Sequence, residues 1–168
     1  MRKSCERPTQ MIGYVDSNFA TDINDRRSTT GYIVILGGSV ISWKLKKQGS
    51  TTLSSTEAEY VALSQCACEL KFLIMLLKEV RVRLKLPIMI REDNTGAIFL
   101  TNNDVMSQRT KHIDTRYHFV REMIEKGELS VKYIRSERNP ADVMTKNLGE
   151  EKFKIFSEMI LSGQFPVS

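Results

Sequence analysis

The sequence predicts an α/β domain built on a mixed five-stranded sheet, three antiparallel strands and then two parallel ones, with helices on both faces. Three observations lead there. The apolar segments follow one another in the order β-β-β-α-β-α-α-β-α. The first three strands are joined by turns and a polar loop, which suits an antiparallel meander. Each of the two later strands is reached through helical segments, the connection that returns a chain parallel to its first strand. A length of 168 residues supports one core of real size, and 41% hydrophobic with 27% charged residues is the balance of a globular domain.

Each element has its own signal. Met11 to Asp16 reads as the first strand, followed by a polar loop from Ser17 to Ser28 rich in Asp, Asn and Arg. Thr29 to Leu36 is β-branched and aromatic, Gly37-Gly38 is a hairpin turn, and Ser39 to Leu45 returns. A long helix runs from Thr56 to about Arg81, its start marked by a capping box of Ser54 and Glu57. Pro87 opens the short apolar run Ile88-Met89-Ile90, which ends in Arg91-Glu92-Asp93-Asn94, and Thr95 to Leu100 suits a short helix. Ile113, Tyr117, Val120 and Ile124 are spaced as one face of a second amphipathic helix, stopped by Gly127. Leu129 to Ile134 alternates as the last strand. Asn139-Pro140 then starts a helix, with Asn as cap and Pro at its first position, and an amphipathic segment from Glu150 to Leu161 closes the chain. The expected division is an N-terminal extension over 1–10, the domain proper over 11–148 and a C-terminal helical tail over 149–168.

Composition narrows the functional classes. A net charge of +5 favours an anionic partner without requiring one. Cys5, Cys66 and Cys68 are odd in number and lack zinc spacing, so they read as reduced thiols. No apolar run approaches the roughly 18 residues of a membrane span, and Met1 to Gln10 lacks the apolar core of a signal peptide. The expectation is an intracellular protein, cytoplasmic or nuclear, without a membrane partner. Gly37-Gly38 lacks the pattern of a phosphate loop. His112 and His118 have no metal-ligand spacing and read as structural or surface residues. Ser54-Ser55 reads as capping, not as a nucleophile. Trp43 and the methionines read as core.

Four carboxylates remain as candidates for chemistry. Asp16 and Asp93 stand at the carboxyl ends of strands expected to lie parallel, where such sheets place ligands; each taken alone reads as an ordinary strand-end aspartate leading into a turn. Glu59 falls on the stripe Glu59, Leu63, Cys66, Leu70, Leu73, Leu77, otherwise apolar, and so points toward the sheet. Metal ligation or snorkelling out at the helix end both explain it. Glu57 lies off that stripe. Asp142, in the first turn of a helix, taken alone reads as an acid placed to suit the helix dipole. Together the four form an oxygen-only set that fits Mg²⁺ or Mn²⁺ and not zinc. Two such ions about 4 Å apart suit phosphodiester hydrolysis.

The motifs resemble the ribonuclease H domain of copia-type retrotransposon Pol polyproteins. The resemblance is carried by Gly13-Tyr14-Val15-Asp16-Ser17, by Asp25 to Tyr32, by Ile41-Ser42-Trp43-Lys44, by Leu53 to Tyr60, by Glu92-Asp93-Asn94, by Arg109 to Glu122 and by Asn139 to Lys146. It runs from about Ile12 to Leu148. It implies a ribonuclease H-like fold and a metal-ligand set of Asp16, Glu59, Asp93 and Asp142. It also implies cleavage of the RNA strand of RNA–DNA hybrids with two Mg²⁺ ions, Mn²⁺ substituting. Asn18 and Thr21 stand where the family usually shows Asp and Gly, and Glu92 where it usually shows Cys. The stretch from Val80 to Pro87 is compressed, and Arg135 to Arg138 lacks the histidine of cellular and retroviral ribonucleases H, as copia-type relatives generally do.

The resemblance further implies a reverse transcriptase domain as neighbour in a parent polyprotein. Met1, so close to the first strand, suggests a fragment, a mispredicted gene or a domesticated remnant of one. Hybrid-contacting candidates are Arg26, Arg27, Lys44, Lys46, Lys47, Arg109 and Lys111, each equally a solvated surface charge. The alternative function is a catalytically silent remnant that binds hybrid or serves only structurally.

Overall fold

The computed structural model describes residues 8–20, 24, 26–103 and 111–165, with the side chains of 111–114 left aside. Five strands, β1 (Met11–Asn18), β2 (Thr29–Leu36), β3 (Ser39–Lys47), β4 (Ile88–Glu92) and β5 (Leu129–Tyr133), form one sheet in the order β3-β2-β1-β4-β5. β1, β2 and β3 pair antiparallel; β4 joins β1, and β5 joins β4, in parallel. This is the sheet expected from the sequence. The hairpin between β2 and β3 turns on Gly37 and Gly38, both at positive φ, where a side chain would be strained.

The helices are α1 (Ser55–Glu79), α2 (Thr95–Asn102), α3 (Lys111–Glu125), the four-residue α4 (Asp142–Thr145) and α5 (Glu150–Ser162). α1 and α3 cover one face of the sheet, burying Val15, Tyr32, Leu63, Cys66, Leu70, Ile88, Ile90, Val120 and Met123 in one cluster. The other face buries Tyr14, Ile33, Ile35, Ile134 and Ala141, covered by α4, α5 and Phe165. Phe156 of α5 is also fully buried, so the C-terminal helix packs onto the fold.

α1 begins as its sequence dictates. Ser54 Oγ accepts from the Glu57 N–H, and the Glu57 carboxylate reaches back to the Leu53 N–H. The predicted stripe is the buried face, from Glu59 through Leu73. α1 is long and apolar enough to cross a membrane by length and composition, contrary to the reading that no segment approaches this; here its apolar face is spent on the sheet. Gly13 sets the crossing point, since a Cβ there would meet Cys66 Sγ at 3.0 Å. From Cys66 back to Glu59 the helix runs about 10 Å, and from Gly13 on to Asp16 the strand runs about 10 Å. Helix and strand thereby bring Glu59 and Asp16 to one height at the end of the sheet.

Three further expectations need correction. Trp43 is 65% exposed and not core: β3 is an edge strand, and Trp43 lines an open apolar groove beside Ile33, Met144 and Ile160. Met11 and Met123 are buried, but Met75 lies on the outer side of α1 and is exposed. Asn139 does cap the turn that opens with Pro140, its Oδ1 accepting from the Ala141 N–H, but that turn is not yet the helix. A 3₁₀ turn over Ser136–Arg138 leads into a further turn, and α4 begins only at Asp142.

Candidate metal centre

Parallel pairing of β1 and β4 joins Tyr14 to Arg91, and two further residues in that register set Asp93 level with Asp16. With Glu59 coming down from α1, the result is a triad whose ligand oxygens all lie within 4.8 Å of one another. Asp16 and Glu59 are buried and Asp93 is partly so. Glu59 Oε2 is buried without a hydrogen-bond partner. Burial pushes the Glu59 carboxyl up to about 10, reinforced by the negative charges of Glu92, Asp16 and Asp93. Burial likewise lifts Asp16 to about 6, against the opposing effects of Thr145 and Lys146.

Glu92 was not among the sequence candidates. It is fully buried beside this triad: Oε1 accepts from the Asn94 N–H at 2.9 Å, and Oε2 is unpartnered. Burial holds its carboxyl well above the usual range; the Asn94 N–H opposes this, and the nearby charges of Asp93 and Asp16 add to it. The signal was present. Ile88, Ile90 and Glu92 alternate onto the face that packs under α1.

Asp142 is buried on the other side of Asp16 and is held by lysines. Lys146 Nζ donates to Asp142 Oδ1 at 2.8 Å and to Asp16 Oδ1 at 2.9 Å, while Lys152 Nζ donates to Asp142 Oδ2 at 2.7 Å. Thr145 Oγ1 donates to Asp16 Oδ2. Burial works against the Lys146 charge, but its bonds to Asp142 and Asp16 outweigh it and hold the ammonium above its ordinary value. Asp142 is thus joined to the triad through Lys146 and is not a member of the close group of three.

Two asparagines place α4. Asn139 Nδ2 donates to the Val15 carbonyl at 2.8 Å, and its Oδ1 accepts from the Ala141 N–H. Asn18 Nδ2 donates to the Thr145 carbonyl at 2.8 Å. These bonds flank Asp16 along β1. Neither role was read from the sequence, because both partners lie more than a hundred residues away.

Of the basic candidates, Lys46 and Lys47 are exposed and stand opposite Thr30 and Thr29, at the same end of the sheet as Asp16. Lys44 lies over the Tyr32 ring, 5.9 Å from its centre. Arg26 is exposed and Arg27 half-buried in the loop before β2. Arg109 and the Lys111 side chain lie outside the described residues, as do Thr21, Cys5 and the His112 side chain; His118 is exposed on α3.

No family model matches the chain. It is similar over 88% of its length to two curated proteins: at 40% identity to the retrovirus-related Pol polyprotein from transposon TNT 1-94 of Nicotiana tabacum, and at 42% to that from transposon RE2 of Arabidopsis thaliana. It spans 11% and 10% of their lengths. Among solved structures, LC11-RNase H1, isolated from compost, matches 80% of this chain and 91% of its own at TM-score 0.60 and 18% identity. The same protein in complex with RNA/DNA hybrid matches at TM-score 0.59 and 17% identity, over 80% of this chain and 93% of its own. The fold defines a ribonuclease H-like domain. Its homologues place it more narrowly, with the Pol polyproteins of copia-type transposons, of which it corresponds to about a tenth.

Proposed function

We propose that this domain is a divalent-metal-dependent endonuclease that hydrolyses the RNA strand of RNA–DNA hybrids. One observation carries the reading: Asp16, Glu59 and Asp93 converge within 4.8 Å, around a buried Glu59 oxygen that has no partner. Buried like charges are costly unless a cation neutralises them. The residues therefore fit such a group: the donors are all hard oxygens, as Mg²⁺ and Mn²⁺ prefer, and no thiolate or imidazole stands among them.

Asp16, Glu59 and Asp93 would hold one ion, and Asp16 with Asp142 would bound a second. Bound there, Mg²⁺ or Mn²⁺ supplies Lewis acidity toward the phosphodiester and a water nucleophile at neutral pH. The rest falls to the chain's own groups. Lys46, Lys47, Arg26 and Arg27 offer positive charge to hybrid phosphates, and recognition of 2′-hydroxyls would select the RNA strand. The hybrid complex of LC11-RNase H1 supports this substrate class, and the fold shared with part of the foamy viral protease-reverse transcriptase, TM-score 0.55, supports a reverse transcriptase domain as partner. Incubation with a labelled RNA–DNA hybrid tests the reading. Cleavage of the RNA strand alone is expected with Mg²⁺ or Mn²⁺ and none in EDTA. Equal cutting of single-stranded RNA, or activity in EDTA, overturns it.

A further inference from the structure

The two sides of the centre differ in how their oxygens are occupied. On the Glu59 side, Oε2 is buried and unpartnered. On the Asp142 side every carboxylate oxygen is taken: Asp142 by Lys146 and Lys152, and Asp16 by Lys146 and Thr145. Lys146 therefore sits where a cation shared by Asp16 and Asp142 would bind. Its side chain is 34% exposed, so its flexible stem has a way out to solvent.

We propose that Lys146 is a resident counter-cation, an internal competitor that neutralises the Asp16–Asp142 side of the metal-free protein and must swing out before a divalent ion binds there. This rests on the metal-dependent reading above and adds an order to it. The Asp16–Glu59–Asp93 side loads first, and the Asp142 side is weaker by the cost of displacing the lysine. The placement of Asp142 does not depend on Lys146. Asn139 pins the preceding turn to Val15, and Asn18 pins the end of α4 through the Thr145 carbonyl. Removing the lysine thus frees Asp142 Oδ1 and Asp16 Oδ1 without dislodging the carboxylate, while Lys152 and Thr145 keep the other two oxygens.

The test is a Mn²⁺ titration of the metal-stripped full chain, followed by calorimetry and by the paramagnetic resonance of free Mn²⁺. Wild type, Lys146→Met, Lys146→Gln and Lys146→Arg are compared, each also melted in EDTA. Wild type should bind one ion tightly and a second weakly. In K146M and K146Q the weaker binding should tighten several-fold, about fivefold for one part-exposed ion pair. K146R should stay near wild type. The neutral variants should melt lower in EDTA and recover with Mn²⁺. Unchanged or weakened second-ion binding in the neutral variants overturns the inference alone, because Lys146 would then be structural. No Mn²⁺ binding by wild type overturns the metal reading and the inference with it. If neither neutral variant folds even with Mn²⁺, the inference also fails, since a competitor is dispensable once the cation is present.

Discussion

Glu57 and Glu59 are two residues apart and face opposite demands. Glu57 closes a capping box at the surface; Glu59 is 7% exposed among other acids. Glu59→Gln should therefore lower hybrid cleavage on the order of 10²-fold or more. Glu57→Ala should leave turnover near wild type and cost about 0.5–1 kcal/mol of stability. Cleavage rates and urea melts of both variants check this, and the reverse result would shift the register of α1. The pH dependence has a definite sign. The Glu59 carboxyl is raised from 4.5 to about 10 on folding, so the unfolded chain loses this proton first as pH rises. The contribution of this group to metal-free stability is then fully present below about pH 4.5 and is lost toward pH 10, at about 1.4 kcal/mol per pH unit. In EDTA, the stability gained by Glu59→Gln should be small near pH 4.5 and grow steadily to pH 8; a constant difference would mean that Glu59 ionises freely. Glu59 was legible because a helix repeats its face every three or four residues and the other members of that face are apolar. Glu92 was equally placed by alternation, but a charged residue closing a short strand reads as the end of the strand, not as part of its buried face. Lys146 stands four residues after Asp142, so that ion pair is local; its second bond, to Asp16 on β1, is not.

Among the elements, strands and long helices were readable because each carries several periods of its own pattern. α4 has four residues and almost no pattern. Its position comes from tertiary contacts: the asparagine bonds to β1, and a close approach to β2 at Gly31. A Cβ on Gly31 would lie 2.6 Å from Thr145 Cγ2 and 2.8 Å from Met144 Cβ, so a larger residue must push α4 outward. Gly31→Ala should cost about 1–3 kcal/mol by overpacking. Since Thr145, Lys146 and Asp142 move with α4, it should also weaken Mn²⁺ binding. Denaturant melts and metal titration measure both, and an unchanged affinity would mean that α4 accommodates the methyl without moving. Trp43 was misread for an element-scale reason. An aromatic in a strand suggests a core, but β3 lies at the sheet edge and α5 covers its inner face only partly.

For the whole molecule, charge sets how hybrid would be held. A net charge of +5 implies few phosphate contacts, roughly 4, hence a slope of log affinity against log salt near −3 to −4. Filter binding with Asp142→Asn, which should not turn substrate over, measures the slope. A nanomolar, salt-insensitive complex would mean a dedicated binding surface that this charge does not suggest. The two asparagine clamps have a consequence in time. Asn139 reaches Val15 and Asn18 reaches Thr145, so β1 is completed by residues made more than a hundred positions later. At roughly 5–20 residues per second, the ribosome delivers Asn139 about 6–25 s after Val15. Until then the growing chain holds Asp16 and later Glu59 and Asp93, but nothing to fasten Asp142 beside them. The fastening of Asp142 would thus come only after the other three acids have been made, and a chain cut short before α4 would lack that side of the centre.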